Sequence, residues 1–197
     1  MRLVRLGILG SGKGTNCRAI LESIKRGALD AEVRIVISDV FDAPILDIAR
    51  EFSIPNTYLP TGRFRTRLEP QAETNLVHML RDAGVELVIL AGFMRVLKSP
   101  MLEAFPHRIV NIHPSLLPEF PGLAAWKQAL DAGEKVTGCT VHYVDEKIDH
   151  GDVIAQREVP ILPNDTPESL HARIQIEEYK LYPTVIGDIC RQLAVRG

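Results

Sequence analysis

The stretch Leu3-Val4-Arg5-Leu6-Gly7-Ile8-Leu9-Gly10-Ser11-Gly12-Lys13-Gly14-Thr15-Asn16 decides the fold. Leu3 to Leu9 reads as a buried strand, the glycine-rich run as a turn, and about Asn16 to Lys25 as an apolar-periodic helix. Strand, tight turn and helix in that order open a parallel sheet covered by helices. The turn comes near two nucleotide motifs and satisfies neither. A dinucleotide fingerprint would need glycine where Thr15 stands, and a Walker loop would need Ser or Thr where Gly14 stands. Its physical chemistry still suits an anion. Glycines let the backbone approach a ligand, the following helix offers free N–H groups and the positive end of its dipole, and Lys13, Thr15 and Asn16 add donors. A phosphomonoester is the expected guest; a tight turn without a ligand is the plain alternative.

Outward from this unit the strand and helix signals alternate. Glu32 to Ser38 reads as a strand, Ala43 to Phe52 as a helix, and Ile54 to Leu59 as a short strand weakened by Pro55. Ala72 to Ala83 places Leu76, Leu80 and Ala83 on one helical stripe, puts His78 on the solvent side, and ends at Gly84, where a C-cap is expected. Glu86 to Ala91 and Arg108 to Ile112 are further buried strands. Thr137 to Val144 and Val153 to Val159 are joined by a short connection, which suggests an antiparallel step. A last helix starts near Thr166. Asp165 or Thr166 can cap it, Glu168 completes a capping box if Asp165 is the cap, Leu170, Ile174 and Leu181 form its core stripe, and Pro183 should kink or interrupt it. The expected fold is α/β, a three-layer α/β/α arrangement around a mostly parallel twisted sheet with a Rossmann-like N-terminal half. No linker, charge block or repeat divides residues 1–197, so one domain is expected.

Composition narrows the functional classes. A chain of 197 residues that is 46% hydrophobic can bury a sizeable core. Its net charge of −2 comes from interspersed acids and bases, so neither a nucleic-acid tract nor a membrane surface is expected. The apolar run after Met1 is too short for a signal peptide, and no stretch approaches the roughly 18 apolar residues of a spanning helix. Cys17, Cys139 and Cys190 are widely spaced and odd in number, against a disulfide framework or structural zinc and in keeping with a reducing cytoplasm.

The chemistry is concentrated in Asn111-Ile112-His113-Pro114-Ser115-Leu116-Leu117-Pro118-Glu119-Phe120. Asn111 and His113 lie two apart on a strand and therefore share a face. An amide that donates and an imidazole that exchanges a proton near neutral pH can hold and protonate a developing oxyanion, which points to acyl-group chemistry. Ser115 lacks the context of a hydrolase nucleophile elbow. Asp39 suits a turn or cap better than a ribose contact. The apolar loop Ala91 to Leu97 either packs under its neighbours or lines a slot for a flat ligand. Asp145, Glu146, Asp149 and His150 crowd one loop without a metal-ligand spacing; a solvated turn is the default, with one carboxylate available as a proton acceptor if the fold brings it near His113. His142 reads as a structural histidine, and His107 and His171 carry no motif.

Taken together, N-I-H-P-S-L-L-P-x-F-P-G-L, the preceding L-A-G-F-M-R-V-L and the following V-H-Y-V-x4-D-x-G closely resemble the folate-dependent phosphoribosylglycinamide formyltransferase family, over nearly the whole chain. The resemblance implies formyl transfer from 10-formyltetrahydrofolate to the amine of glycinamide ribonucleotide, a step of purine synthesis, with small-molecule partners, no metal and no covalent enzyme intermediate. It implies Asn111, His113 and Asp149 as catalytic residues, and Gly12, Lys13, Gly14, Thr15, Asn16 and Arg67 around the substrate phosphate. Gln175 and Glu178 would hold the glycinamide end. Met94, Arg95, Val96 and Leu97, with the backbone from Val144 to Asp149, would receive the folate. Lys13 and Thr15 stand where the family commonly has asparagine and serine, and no aromatic follows Arg67. A formyltetrahydrofolate hydrolase is the alternative, but would carry an added N-terminal domain. A methionyl-tRNA formyltransferase would carry Arg-Gly where Pro121-Gly122 stands and a further RNA-binding domain. A non-catalytic nucleotide-binding module would have no reason to keep Asn111, His113 and Asp149 together.

Overall fold

The computed structural model describes residues 2–196. The elements run β1 (Val4–Leu9), α1 (Thr15–Lys25), β2 (Ala31–Ser38), α2 (Pro44–Glu51), β3 (Asn56–Tyr58), α3 (Pro70–Asp82), β4 (Leu87–Leu90), α4 (Ser99–Ala104), β5 (Ile109–His113), α5 (Ala125–Asp131), β6 (Val136–Tyr143), β7 (Val153–Pro160) and α6 (Pro167–Arg196). The strands form one seven-stranded sheet in the order β3-β2-β1-β4-β5-β6-β7. The first five pair in parallel. β6 and β7 extend the sheet by two antiparallel pairings, of which the short connection suggests only the one between β6 and β7. Strand order reverses between β1 and β4, the switch point where an open α/β sheet parts its loops and leaves a crevice.

Both faces of the sheet are covered, which is why its central strands read as continuous apolar runs. Val4, Leu6 and Ile8 of β1, with Leu87 and Ile89 of β4, belong to one core packed by α1, α2 and α6. Leu9, Val88 and Leu90 belong to a second core packed by α3 and α4. The three cysteines are free and buried. Burial pushes each thiol up to about 12. Among the described residues no helix is long and apolar enough to cross a membrane.

Local departures from the sequence reading have physical causes. α4 and α5, of six and seven residues, are too short to generate a recognisable helical period and were not expected. The cap of α6 is Thr166, not Asp165. The Ser169 N–H donates to Thr166 Oγ1 at 3.2 Å and the Thr166 N–H to Ser169 Oγ at 3.0 Å, so Ser169 takes the reciprocal role expected of Glu168. Asp165 instead pairs with the Arg173 guanidinium. Pro183 lies inside α6 without interrupting it. Tyr182 beside it is fully buried, its hydroxyl 2.9 Å from the Leu90 carbonyl and 2.8 Å from that of Val110. That bond ties α6 to the ends of β4 and β5.

Candidate active site

A cleft of about 550 Å³ opens at the C-terminal ends of β1, β4 and β5. Its first wall is the glycine-rich loop. Gly14 has φ +71, and a Cβ there would lie 2.8 Å from the Ile45 backbone, so no other residue fits without strain. The loop is fastened to the apolar segment after β4. The Ser11 N–H donates to Gly92 O at 3.0 Å, and the Met94 N–H donates to Ser11 Oγ at 2.8 Å. That apolar segment both packs under its neighbours and borders the cleft. Ala91, Phe93 and Leu97 are buried under neighbours, while Met94 is 57% exposed and lines the cleft.

The opposite wall comes from β5 and the β6–β7 hairpin. In the antiparallel register Asn111 faces His142 and His113 faces Thr140. Asn111 and His113 thus turn to one side together. Asp149 arrives from the hairpin turn in a left-handed backbone conformation, φ 50. Two residues on, a Cβ at Gly151 would lie 1.9 Å from Tyr143 O, so only glycine lets the hairpin close behind the carboxylate. Asp149 Oδ2 accepts the Gly122 N–H at 2.9 Å and lies 3.3 Å from His113 Nδ1; its Oδ1 is 3.7 Å from His142 Nε2. His113 is buried, and its Nε2–H donates to Phe120 O at 2.9 Å. Both ring nitrogens of His113 therefore face acceptors, an environment that a ring with two N–H donors satisfies.

His142 is the satisfied, buried histidine expected, and one of its two hydrogen bonds is to Asn111. Its Nδ1 lies 2.8 Å from Tyr143 O, an obligate acceptor, so Nδ1 carries the proton. Nε2 is then bare and accepts from Asn111 Nδ2 at 3.2 Å. Burial lowers the pKa of the ring, in keeping with a neutral imidazole. The contact orients the Asn111 amide and leaves its second N–H for the cleft.

The fold brings together almost all of the residues expected at the site. Gly12, Lys13, Gly14, Thr15 and Asn16 line the cleft, as do Met94, Arg95, Val96, Leu97, Asn111, His113, Val144, Asp149, Gln175 and Glu178. Asn16 Nδ2 donates to Glu178 Oε2 at 2.9 Å, and burial pushes the Glu178 carboxyl up to about 7. Arg67 is placed elsewhere. It is absent from the cleft lining, and its guanidinium lies 4.2 Å from the centroid of the Phe64 ring. Arg95 lines the cleft, but its side chain is engaged by Asp39 Oδ2 at 2.7 Å and by the carbonyls of Phe64 and Arg65. Asp39 is accordingly a buried ion-pair partner, not the turn or cap residue expected. In the acidic loop Asp145 pairs with His150 at 2.9 Å and caps Lys147 N, and Glu146 is exposed. Of the three carboxylates, Asp149 alone reaches His113. Trp126 and His171, which carried no motif, also line the cleft.

Comparison with known proteins agrees with this architecture. A family model described as Formyl transferase matches residues 4–186. Phosphoribosylglycinamide formyltransferase of Bacillus subtilis (strain 168) is 40% identical over 185 residues, 94% of this chain and 94% of that protein. The trifunctional purine biosynthetic protein adenosine-3 of Drosophila pseudoobscura pseudoobscura is 44% identical over 185 residues, 93% of this chain. The chain spans only 13% of that relative's length. The crystal structure of glycinamide ribonucleotide transformylase 1 from Symbiobacterium toebii matches with a TM-score of 0.91 at 45% identity, covering 96% of this chain and 89% of that one. With the match extending from the first strand through most of the last helix, the chain belongs to the formyl transferase family.

Proposed function

We propose that the protein transfers the formyl group of 10-formyltetrahydrofolate to the primary amine of glycinamide ribonucleotide in purine synthesis, as a single formyltransferase domain over residues 1–197 working on small molecules in the cytoplasm. The observation that carries this reading is the convergence of Asn111, His113 and Asp149 on the cleft that the glycine-rich loop also lines. Gly12 to Asn16 receive the ribonucleotide phosphate, and Gln175 and Glu178 hold its glycinamide end. Met94 to Leu97 and Val144 to Asp149 receive the folate, largely through backbone and apolar surface, since the Arg95 guanidinium is already occupied. Arg67, stacked on Phe64 and outside the cleft lining, would serve the phosphate only from beyond the cleft's present walls.

The amine attacks the formyl carbon. The tetrahedral oxyanion is held by the free Asn111 N–H and by His113, each such donor being worth roughly 3–4 kcal/mol in the transition state. For His113 Nε2 to donate to it, the bond to Phe120 O must be exchanged for one to substrate. Asp149 keeps His113 oriented and charged. The proton released by the attacking nitrogen passes by way of a bound water and Asp149, and N10 of the departing folate gains one, so the transfer is balanced without a covalent enzyme intermediate. The test is to incubate the protein with 10-formyltetrahydrofolate with and without glycinamide ribonucleotide and to follow deformylated folate. Release that requires the ribonucleotide supports the transferase; release without it would make the protein a hydrolase.

A further inference from the structure

His171 enters no motif and no step above, yet α6 presents it on the face that carries Gln175 and Glu178, and all three line the cleft. Its imidazole lies flat on the Trp126 indole, with ring centroids 3.7 Å apart and planes 1° from parallel. The stack fixes the imidazole plane, so only the ring edge, where the nitrogens lie, is left for other partners. No hydrogen bond from the described residues bears on its protonation. Burial, and secondly the charge of Lys13, lower its pKa, and Lys13 lines the same cleft. A fixed ring edge on the cleft that Lys13 also lines, with no acceptor bound to it among the described residues, is the surrounding of an anion site.

We infer that His171, clamped flat on Trp126, is a further binding residue of this cleft and donates a ring N–H to the phosphomonoester seated in the glycine-rich loop, with Trp126 as its positioning residue. The inference rests on the reading of that loop as the ribonucleotide's phosphate site. A hydrogen bond to a charged phosphate is shorter and stronger than one between neutral groups, so its loss is felt in affinity. If the stack served only to fasten α5 to α6, it would affect stability and be indifferent to whether a ligand carries phosphate.

Trp126 is the single tryptophan of the chain, so its fluorescence reports on the stack itself. The experiment titrates glycinamide ribonucleotide and inorganic phosphate against the wild type and against His171→Phe, which preserves a stacked ring and removes the donor. Melting temperature is measured alongside. Both ligands are expected to perturb Trp126 emission in the wild type. His171→Phe should bind each about tenfold more weakly, with an unchanged melting temperature, while KM for the ribonucleotide rises by the same factor and kcat stays within twofold. Trp126→Leu, followed by KM, should give a smaller loss of the same kind. Undiminished phosphate affinity in His171→Phe overturns the inference and leaves the transferase reading intact. Absence of any phosphate or ribonucleotide binding to the wild type removes the phosphate site, and both readings with it.

Discussion

Asp149 occupies a left-handed backbone conformation that Asn adopts as readily as Asp, so Asp149→Asn changes charge and basicity with little strain. Turnover in that variant should fall by at least about 100-fold, the lower end for acid–base residues, with much smaller changes in ligand affinity. Asp145→Asn and Glu146→Gln are the controls for loop acidity and should leave steady-state turnover nearly unchanged. Glu178 carries a second prediction. Its carboxyl is held up to about 7 in the folded chain against an ordinary value of 4.5. Between those values the unfolded chain releases a proton that the folded chain retains, so stability falls as pH rises from 4.5 through 7, by a total of about 3 kcal/mol. Glu178→Gln should therefore melt above the wild type at pH 8, and the two should converge near pH 4.5 in a melting series. At this scale Asn111 and His113 were legible because their spacing on a strand already places them together. Asp149 was not separable from Asp145 and Glu146 by residue type, since only the closed hairpin distinguishes the inward carboxylate from the outward ones. His171 and Trp126 were illegible because their contact joins helices far apart in the chain.

At the level of elements, β1 through α3 could be read to within about two residues, and the three helices among them combine an apolar period with a glycine or proline boundary. α4 could not, and one reason lies outside it. Its first turn is capped by the carboxylate of Glu73, a buried residue of α3 that accepts the Lys98 N–H, so the start signal sits on another helix. The attachment of α6 is similarly remote, through the Tyr182 hydroxyl. Tyr182→Phe deletes the shared donor and leaves two buried carbonyls short of a partner. The expected cost is about 1–3 kcal/mol, seen as a lower urea midpoint with an unchanged denaturant slope.

Across the whole molecule, the glycine-rich loop of the parallel half and the carboxylate of the antiparallel extension meet in one cleft, so the proposed transfer requires both of its substrates to be present together. Initial-velocity lines for the two substrates should intersect; parallel lines, the sign of a formylated enzyme, would contradict the mechanism. Phosphate or sulfate should compete with the ribonucleotide, whereas ATP with magnesium should not, because Gly14 stands where a Walker loop needs a hydroxyl. Tight saturable ATP binding would overturn that assignment. The parallel half was readable from local patterns, but the meeting of the two halves depends on the β5–β6 pairing, which no local pattern encodes. That pairing, with Asn111 opposite His142 and His113 opposite Thr140, has a consequence for quality control of the fold. A slip by one residue would turn His142 and its strand mates to the other side of the sheet. Molecules trapped in that state could be compact and rich in secondary structure yet catalytically dead, so specific activity after refolding would count correctly registered sheets in a way that circular dichroism could not.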